Sequence, residues 1–222
     1  MNLLSYQTLR PCLWHLTTRE NWIRIRKRAG DGGDYSLSSA STLHGEAESP
    51  GFDLNEPRKE CQPLTLPGGG ALIRDQLSLV NAQKRLRFPE GWDRSRYGGW
   101  LNEFVFFWPG TQDAPTTQSG KKHFRYYLRK SEVKLTFLKI DAEKVLGRYE
   151  RSALFSHEDS GAPSGRKKVV ERGPGIFVGA GEIGVPSDVV EVSFRDTLTL
   201  KPDEVTPVSE SRMREQLGIE DA

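Results

Sequence analysis

Leu13-Trp14-His15-Leu16-Thr17-Thr18-Arg19-Glu20-Asn21-Trp22 is the stretch whose reading decides the fold. Leu13, Trp14 and Leu16 suit a buried strand, and Thr17-Thr18-Arg19-Glu20 has the T-x-x-E spacing of a capping box, which predicts a helix opening on Thr17. His15 and Thr17 are therefore expected at a strand-to-helix junction, with Asn21 on the first helical turn. Side chains and unpaired helix amides converge at such junctions, which makes them natural places for a binding site.

Outward from this junction, Gly30-Asp31-Gly32-Gly33 ends the helix, and the serine- and proline-rich segment at about 31–70 reads as one long loop. Residues 71–88 are compatible with a helix that starts with Arg74, Asp75 and Gln76. A short helix from Arg94 to Asn102 leads into Phe104-Val105-Phe106-Phe107-Trp108, the clearest strand of the chain. A helix is expected over Lys121–Ser131. Val133 to Ile140 alternates apolar and polar residues as a half-exposed strand does, and Asp141 can cap the helix after it. Further strands are expected within 151–156 and at Val189-Val190-Glu191-Val192-Ser193-Phe194. Strands separated by small helices, without regular alternation, predict an α+β fold around a mostly antiparallel, split sheet. The expected organisation is one domain over 1–204 and a C-terminal tail or helix over 205–222.

Composition narrows the function. With 222 residues the chain can bury a sizeable core, and a net charge of +2 argues against a protein that wraps nucleic acid over its whole surface. Local basic runs remain at Arg24–Arg28, at Lys84–Arg87 and over Lys121–Lys130, where Phe124, Tyr126 and Tyr127 are interleaved; a solvated helix face is the favoured reading of each. No apolar run approaches the roughly 20 residues that span a bilayer, and no signal-peptide pattern opens the chain, so the expectation is a cytoplasmic protein without a membrane partner. Two cysteines, Cys12 and Cys61, and four scattered histidines lack the spacing of a metal centre, so no metal is expected.

His15-Leu16-Thr17 with Asn21 beyond it, then Val105-Phe106-Phe107-Trp108, then Glu191-Val192-Ser193-Phe194-Arg195-Asp196 resembles, in that order, the DarT-type ADP-ribosyltransferase toxins. Most of the chain also looks like a bacterial domain family without assigned function, which carries Leu101-Asn102 before the aromatic strand and a Ser160-Gly161-Ala162 turn. The first resemblance implies an ADP-ribosyltransferase-like fold and NAD as substrate. It implies a nucleic-acid or protein acceptor and the setting of a bacterial toxin or defence factor, with an antitoxin as partner. Cleaving NAD passes through an oxocarbenium-like transition state, which a carboxylate near the ribose stabilises. By the resemblance Glu191 supplies that carboxylate, with Val190, Val192 and Phe194 turned to the core and Glu191 on the other face. His15 and Thr17 would bind ribose and nicotinamide, Asn21 would support the pocket, and Phe107 and Trp108 would stack on the ring. Arg74 is the candidate catalytic or pyrophosphate-binding arginine, since a guanidinium grips phosphate in two places; Arg94 and Arg96 lie nearer the aromatic strand. Arg166, Lys167 and Lys168 would meet the acceptor. The pattern departs from the family in lacking a tyrosine on the aromatic strand, and Glu182 is a competing carboxylate. A non-catalytic binding module on the same fold stands as the alternative.

Overall fold

The structure, a computed structural model, describes residues 2–161 and 169–219. In chain order its first elements are α1 (Leu3–Leu9), β1 (Cys12–Thr18), α2 (Arg19–Ala29), β2 (Tyr35–Ser38), α3 (Ala40–Glu46), β3 (Gln62–Leu66), β4 (Gly69–Ile73), α4 (Leu77–Asn81) and β5 (Leu86–Arg87). There follow α5 (Arg94–Leu101), β6 (Phe104–Gly110), α6 (Gln118–Lys130), β7 (Leu135–Asp141), α7 (Ala142–Tyr149), β8 (Leu154–Ser156) and β9 (Val170–Glu171). The chain closes with β10 (Glu191–Arg195), β11 (Thr197–Leu200), β12 (Val205–Ser209) and α8 (Glu210–Gln216).

Six strands form one antiparallel sheet in the order β12-β7-β1-β6-β10-β8, which makes the chain an α+β protein. The apolar runs that predicted β1, β6 and β10 occupy the middle of this sheet. One face carries Leu13, Phe107, Leu138, Ile140, Val192 and Phe194 against α1, α2 and α7; the other carries Trp14, Leu16, Trp108 and Phe137 against α6 and α8. With both faces covered, the central strands read as near-continuous apolar runs.

The sheet is forked. β1 pairs with β7 along its whole length, from Cys12 opposite Asp141 to Thr18 opposite Leu135. Its ladder to β6 runs only through Cys12 with Gly110, Leu13 with Pro109 and Trp14 with Trp108. Beyond that point β6 pairs with β10, from Phe107 opposite Val192 to Phe104 opposite Arg195. The sheet therefore opens into two arms, β12-β7-β1 and β6-β10-β8, and backbone groups that would have laddered across the gap need other partners.

Several expectations are corrected here. The segment at 31–70 is not a plain loop: β2 pairs with β11, α3 is capped by Ser39, and β3 pairs with β4 as a hairpin. The helix expected over 71–88 is divided into the end of β4, the short α4 and β5. Residues 205–209 are no tail but the edge strand β12 on β7. The cap of α2 is Thr18, whose side chain accepts from the Asn21 amide, so Thr17 has no capping task. Val189 rather than Val190 joins Val192 and Phe194 in the core, because a 3-10 turn over Pro186–Asp188 precedes β10 and breaks the period of two. Asp141 does cap α7, as expected.

Candidate active site

A cavity of about 500 Å³ lies at the fork, within the usual range for cofactor and small-molecule sites. His15, Thr17 and Asn21 line it from β1 and α2, Phe106 and Trp108 from β6, Glu191 from β10, and Arg58, Arg74 and Gln76 from the segment around the β3–β4 hairpin. α6 adds Lys122, His123, Tyr126 and Tyr127, and the turn after β8 adds Asp159 and Ser160.

His15 stands where β1 and β6 part. Its Nδ1 is 2.8 Å from the Phe106 carbonyl oxygen, so the imidazole bridges a gap that the backbone ladder no longer spans. Burial pushes its pKa down to about 4, against the Phe106 hydrogen bond, and the charge of Arg74 lowers it further. At neutral pH the ring is uncharged; Nδ1 carries the proton given to the carbonyl, and Nε2 is left as an acceptor. Thr17 is buried, its hydroxyl free of the helix cap.

Asn21 has a different task. Its Nδ2 donates to the Leu72 carbonyl and its Oδ1 accepts from the Leu72 amide, both at 2.8 Å, so the side chain imitates a strand edge and ties α2 to β4. That double bond commits the amide to structure rather than to a ligand. Phe107 is also structural: fully buried, it packs under the His15 ring at 5.3 Å between centroids and edge-on to Phe194. Alternation along β6 turns Phe106 and Trp108, not Phe107, toward the cavity.

Glu191 is 4% exposed and accepts a hydrogen bond from the Ser160 amide at 3.0 Å, with the Ser160 side chain also bonded to it. Burial, and then the charge of Asp159, push its pKa up to about 7, opposed by the Ser160 side-chain and backbone bonds and by Arg172. A carboxyl poised near neutrality in a cavity is the kind of group that active sites use. Glu182 does not compete with it, being an exposed residue that accepts from the Gly179 amide in its own turn.

Arg74 reaches the cavity from the end of β4. Its guanidinium lies 3.6 Å from the centroid of the Tyr127 ring. Its bonds to the Leu16 carbonyl and to His123 Nε2 are both 3.5 Å long, at the outer limit of hydrogen bonding, so stacking rather than saturated bonding holds it. His123 stacks on Trp108 at 4.1 Å, an approach made possible because Gly120 lets α6 close on β6: a Cβ there would come within 2.9 Å of Trp108 Cβ. Burial and then the Arg74 charge hold His123 well below the ordinary imidazole pKa. Tyr127 in turn donates to Asp75 at 2.9 Å. Tyr126 and Tyr127 of α6 bring two phenol rings to the cavity. Behind this wall the buried Arg58 donates to Asn102 Oδ1 at 2.8 Å and to the Arg74 carbonyl at 3.1 Å, and fixes the backbone of the arginine in front of it.

The fold therefore brings together His15, Thr17, Arg74, Trp108 and Glu191, taken from separate segments of the chain. Arg94 and Arg96 do not line the cavity; Arg96 lies over Trp92. Arg166, Lys167 and Lys168 lie outside the described residues. His123, Tyr127, Asp159 and Arg58 also line the cavity, and the sequence alone does not mark them individually. Tyr127 falls four residues after His123 on α6, which puts the two on one helical face, a signal the basic residues around them obscured. Among the described residues no group of three or more His, Cys, Asp or Glu is arranged to hold a metal ion, and no helix is long and apolar enough to cross a membrane.

A model described as a family of unknown function (DUF7002) matches residues 11–206. The chain belongs to the DUF7002 family. The matched span includes every residue named in the cavity, while α1 and α8 lie outside it. Comparison with curated proteins and with solved structures found no match.

Proposed function

We propose that this DUF7002 domain is an NAD-dependent ADP-ribosyltransferase that modifies a nucleic-acid or protein acceptor, in the setting of a bacterial toxin or defence factor with an antitoxin. One observation carries the reading: the histidine, the aromatic strand and the glutamate of the three sequence motifs lie on adjacent strands and line one cavity. Transfer requires the bond between ribose C1′ and the nicotinamide nitrogen to break with its electron pair leaving on nicotinamide. Ionised Glu191 would hold the ribose 2′-hydroxyl and balance the positive charge that grows on the ring. His15 Nε2 would accept from a ribose hydroxyl, and the stacked Trp108 and His123 would bound the planar nicotinamide. Arg74, with donors to spare, would meet the pyrophosphate.

The test is incubation of the purified protein with labelled NAD and with DNA, RNA and protein acceptors. Label on an acceptor, or nicotinamide release, that disappears in Glu191→Gln while NAD binding persists supports the reading. Neither release nor transfer in the wild type overturns it, and saturable NAD binding without turnover would favour the binding-module alternative.

A further inference from the structure

The carboxylate cluster beside Glu191 holds a second acid that the reading above leaves without a task. Ser156, the last residue of β8, sits directly opposite Glu191 in the ladder, and the Val190 amide donates to its carbonyl at 2.7 Å. The chain then folds back on itself. Ser156 Oγ donates to the Glu158 carbonyl and accepts from the Glu158 amide, and the turn returns far enough for the Ser160 amide to reach Glu191. Asp159, one residue earlier, is thereby carried into the wall of the cavity that Glu191 also lines, where its charge acts on that carboxyl.

This turn is fixed from several sides. Arg172, 2% exposed, donates from Nε to the Gly161 carbonyl and from Nη1 to Glu158 and the Glu171 carbonyl. Tyr97 donates its hydroxyl to the Ser160 carbonyl at 2.8 Å. Gly161 presses on α4 so closely that a Cβ would come within 2.7 Å of Ser78 Oγ. A surface turn with no task beyond connection would not need a buried guanidinium and a buried phenol to hold it. The charged groups around Asp159 are Arg172, Lys122 and Glu158, with Glu191 as its neighbour in the cavity. Burial raises the Asp159 pKa, and Arg172 and Lys122 oppose that shift.

We propose that Asp159 is the base that activates the acceptor, a role distinct from that of Glu191. The proposal rests on the transferase reading. The acceptor's nucleophilic oxygen or nitrogen forms its bond to ribose C1′ while the bond to nicotinamide breaks; nicotinamide leaves neutral with the electron pair, and the proton of the nucleophile passes to the Asp159 carboxylate and then to water. Glu191 stays on the ribose throughout. Water attacking the same centre is small, abundant and needs little help once the oxocarbenium character is developed, so hydrolysis and transfer should depend differently on Asp159.

The experiment compares wild type, Asp159→Asn and Glu191→Gln with labelled NAD, measuring nicotinamide release in buffer alone and transfer to a mixed-sequence DNA oligonucleotide, a mixed-sequence RNA oligonucleotide and the protein's own chain. Asp159→Asn is expected to keep nicotinamide release within about threefold of wild type while transfer falls about a hundredfold or more. Glu191→Gln is expected to lose both. Binding of NAD by calorimetry controls for folding, and Asp159→Ser replaces the Asn variant if the latter does not fold. Transfer unchanged in the variant, a parallel fall of release and transfer with NAD binding intact, or a wild type that releases nicotinamide but labels none of the three acceptors overturns the role of Asp159 and leaves the transferase reading to be judged on release. A wild type that does not cleave NAD overturns both.

Discussion

The two arms of the forked sheet both bring polar groups to the cavity, but they use them differently. On the side of β1 and α2 three polar side chains are engaged in structure: Thr18 caps α2, Asn21 pairs with Leu72, and His15 gives its Nδ1 proton to the Phe106 carbonyl. What remains for a ligand is His15 Nε2 and the Thr17 hydroxyl. On the β6-β10-β8 arm Glu191 is buried against Ser160, with its carboxyl held near neutrality. A group kept in an unfavourable environment costs stability, and a fold retains it where chemistry needs it. Under the proposed transferase reading, this contrast assigns binding to the first arm and bond cleavage to the second.

The largest expected effect breaks the second arm. Glu191→Gln should lower transfer by about a hundred- to a thousandfold, the range seen when a group that stabilises transition-state charge is removed. His15→Ala should cost less, roughly twofold to tenfold, because a neutral acceptor contributes an ordinary hydrogen bond. An equal loss in the two variants, read from nicotinamide release, would erase the distinction between the arms. Arg74→Ala should weaken NAD binding by about tenfold to a hundredfold, as expected for lost charge-assisted bonds to phosphate, measured as a change in Kd.

Stability should move the other way at Glu191. Its folded pKa is raised to about 7 from the ordinary 4.5, so the folded state holds the proton more tightly than the unfolded chain, and wild-type stability falls as pH rises from 4.5 to 7. Glu191→Gln, which has no proton to lose, should be more stable than wild type by on the order of 1–3 kcal/mol at pH 8 and equal to it near pH 4, measured by urea unfolding. A variant that is less stable at both pH values would mean that Glu191 is a structural acid. His15 has the opposite sign: its folded pKa of about 4 adds stability as pH rises toward 6.5, so the comparison must be made variant against wild type at each pH. The smallest effects belong to the structural groups of the first arm. Thr18→Ala should cost about 1 kcal/mol through the lost cap, and Asn21→Ala about 1–2 kcal/mol through two backbone groups left unpaired, with NAD affinity within about twofold of wild type in both.

The sequence revealed the middle of the sheet and not its surroundings, for physical reasons. β1, β6 and β10 are buried on both faces, and their apolar runs, with the polar His15 and Glu191 standing out of them, announce both the strand and the site. The β3–β4 hairpin carries Pro63, Gly69 and Gly70, and β2 sits in a serine-rich run, so local propensity points to loop. What makes Gly69–Ile73 a strand is its hairpin pairing with β3 together with its grip on Asn21, which is remote in sequence. The same holds for Thr17 and Thr18: two threonines in succession offer two caps, and only the register with β7 decides which is used. The place of Arg74 on the cavity wall agrees with its reading as an arginine beside a polar cluster. Asp159 and His123 were not readable from the sequence, since their meaning comes from turns and stacking that bring them to Glu191 and Trp108.

The most direct measurement is a calorimetric titration of NAD into Glu191→Gln, which binds without turnover, and into the double variant with Arg74→Ala. The account predicts one saturable site per chain with a Kd on the order of micromolar to hundreds of micromolar, weakened at least about tenfold in the double variant. Absence of saturable heat, or equal affinity in the two proteins, would contradict the assignment of the forked cavity to NAD.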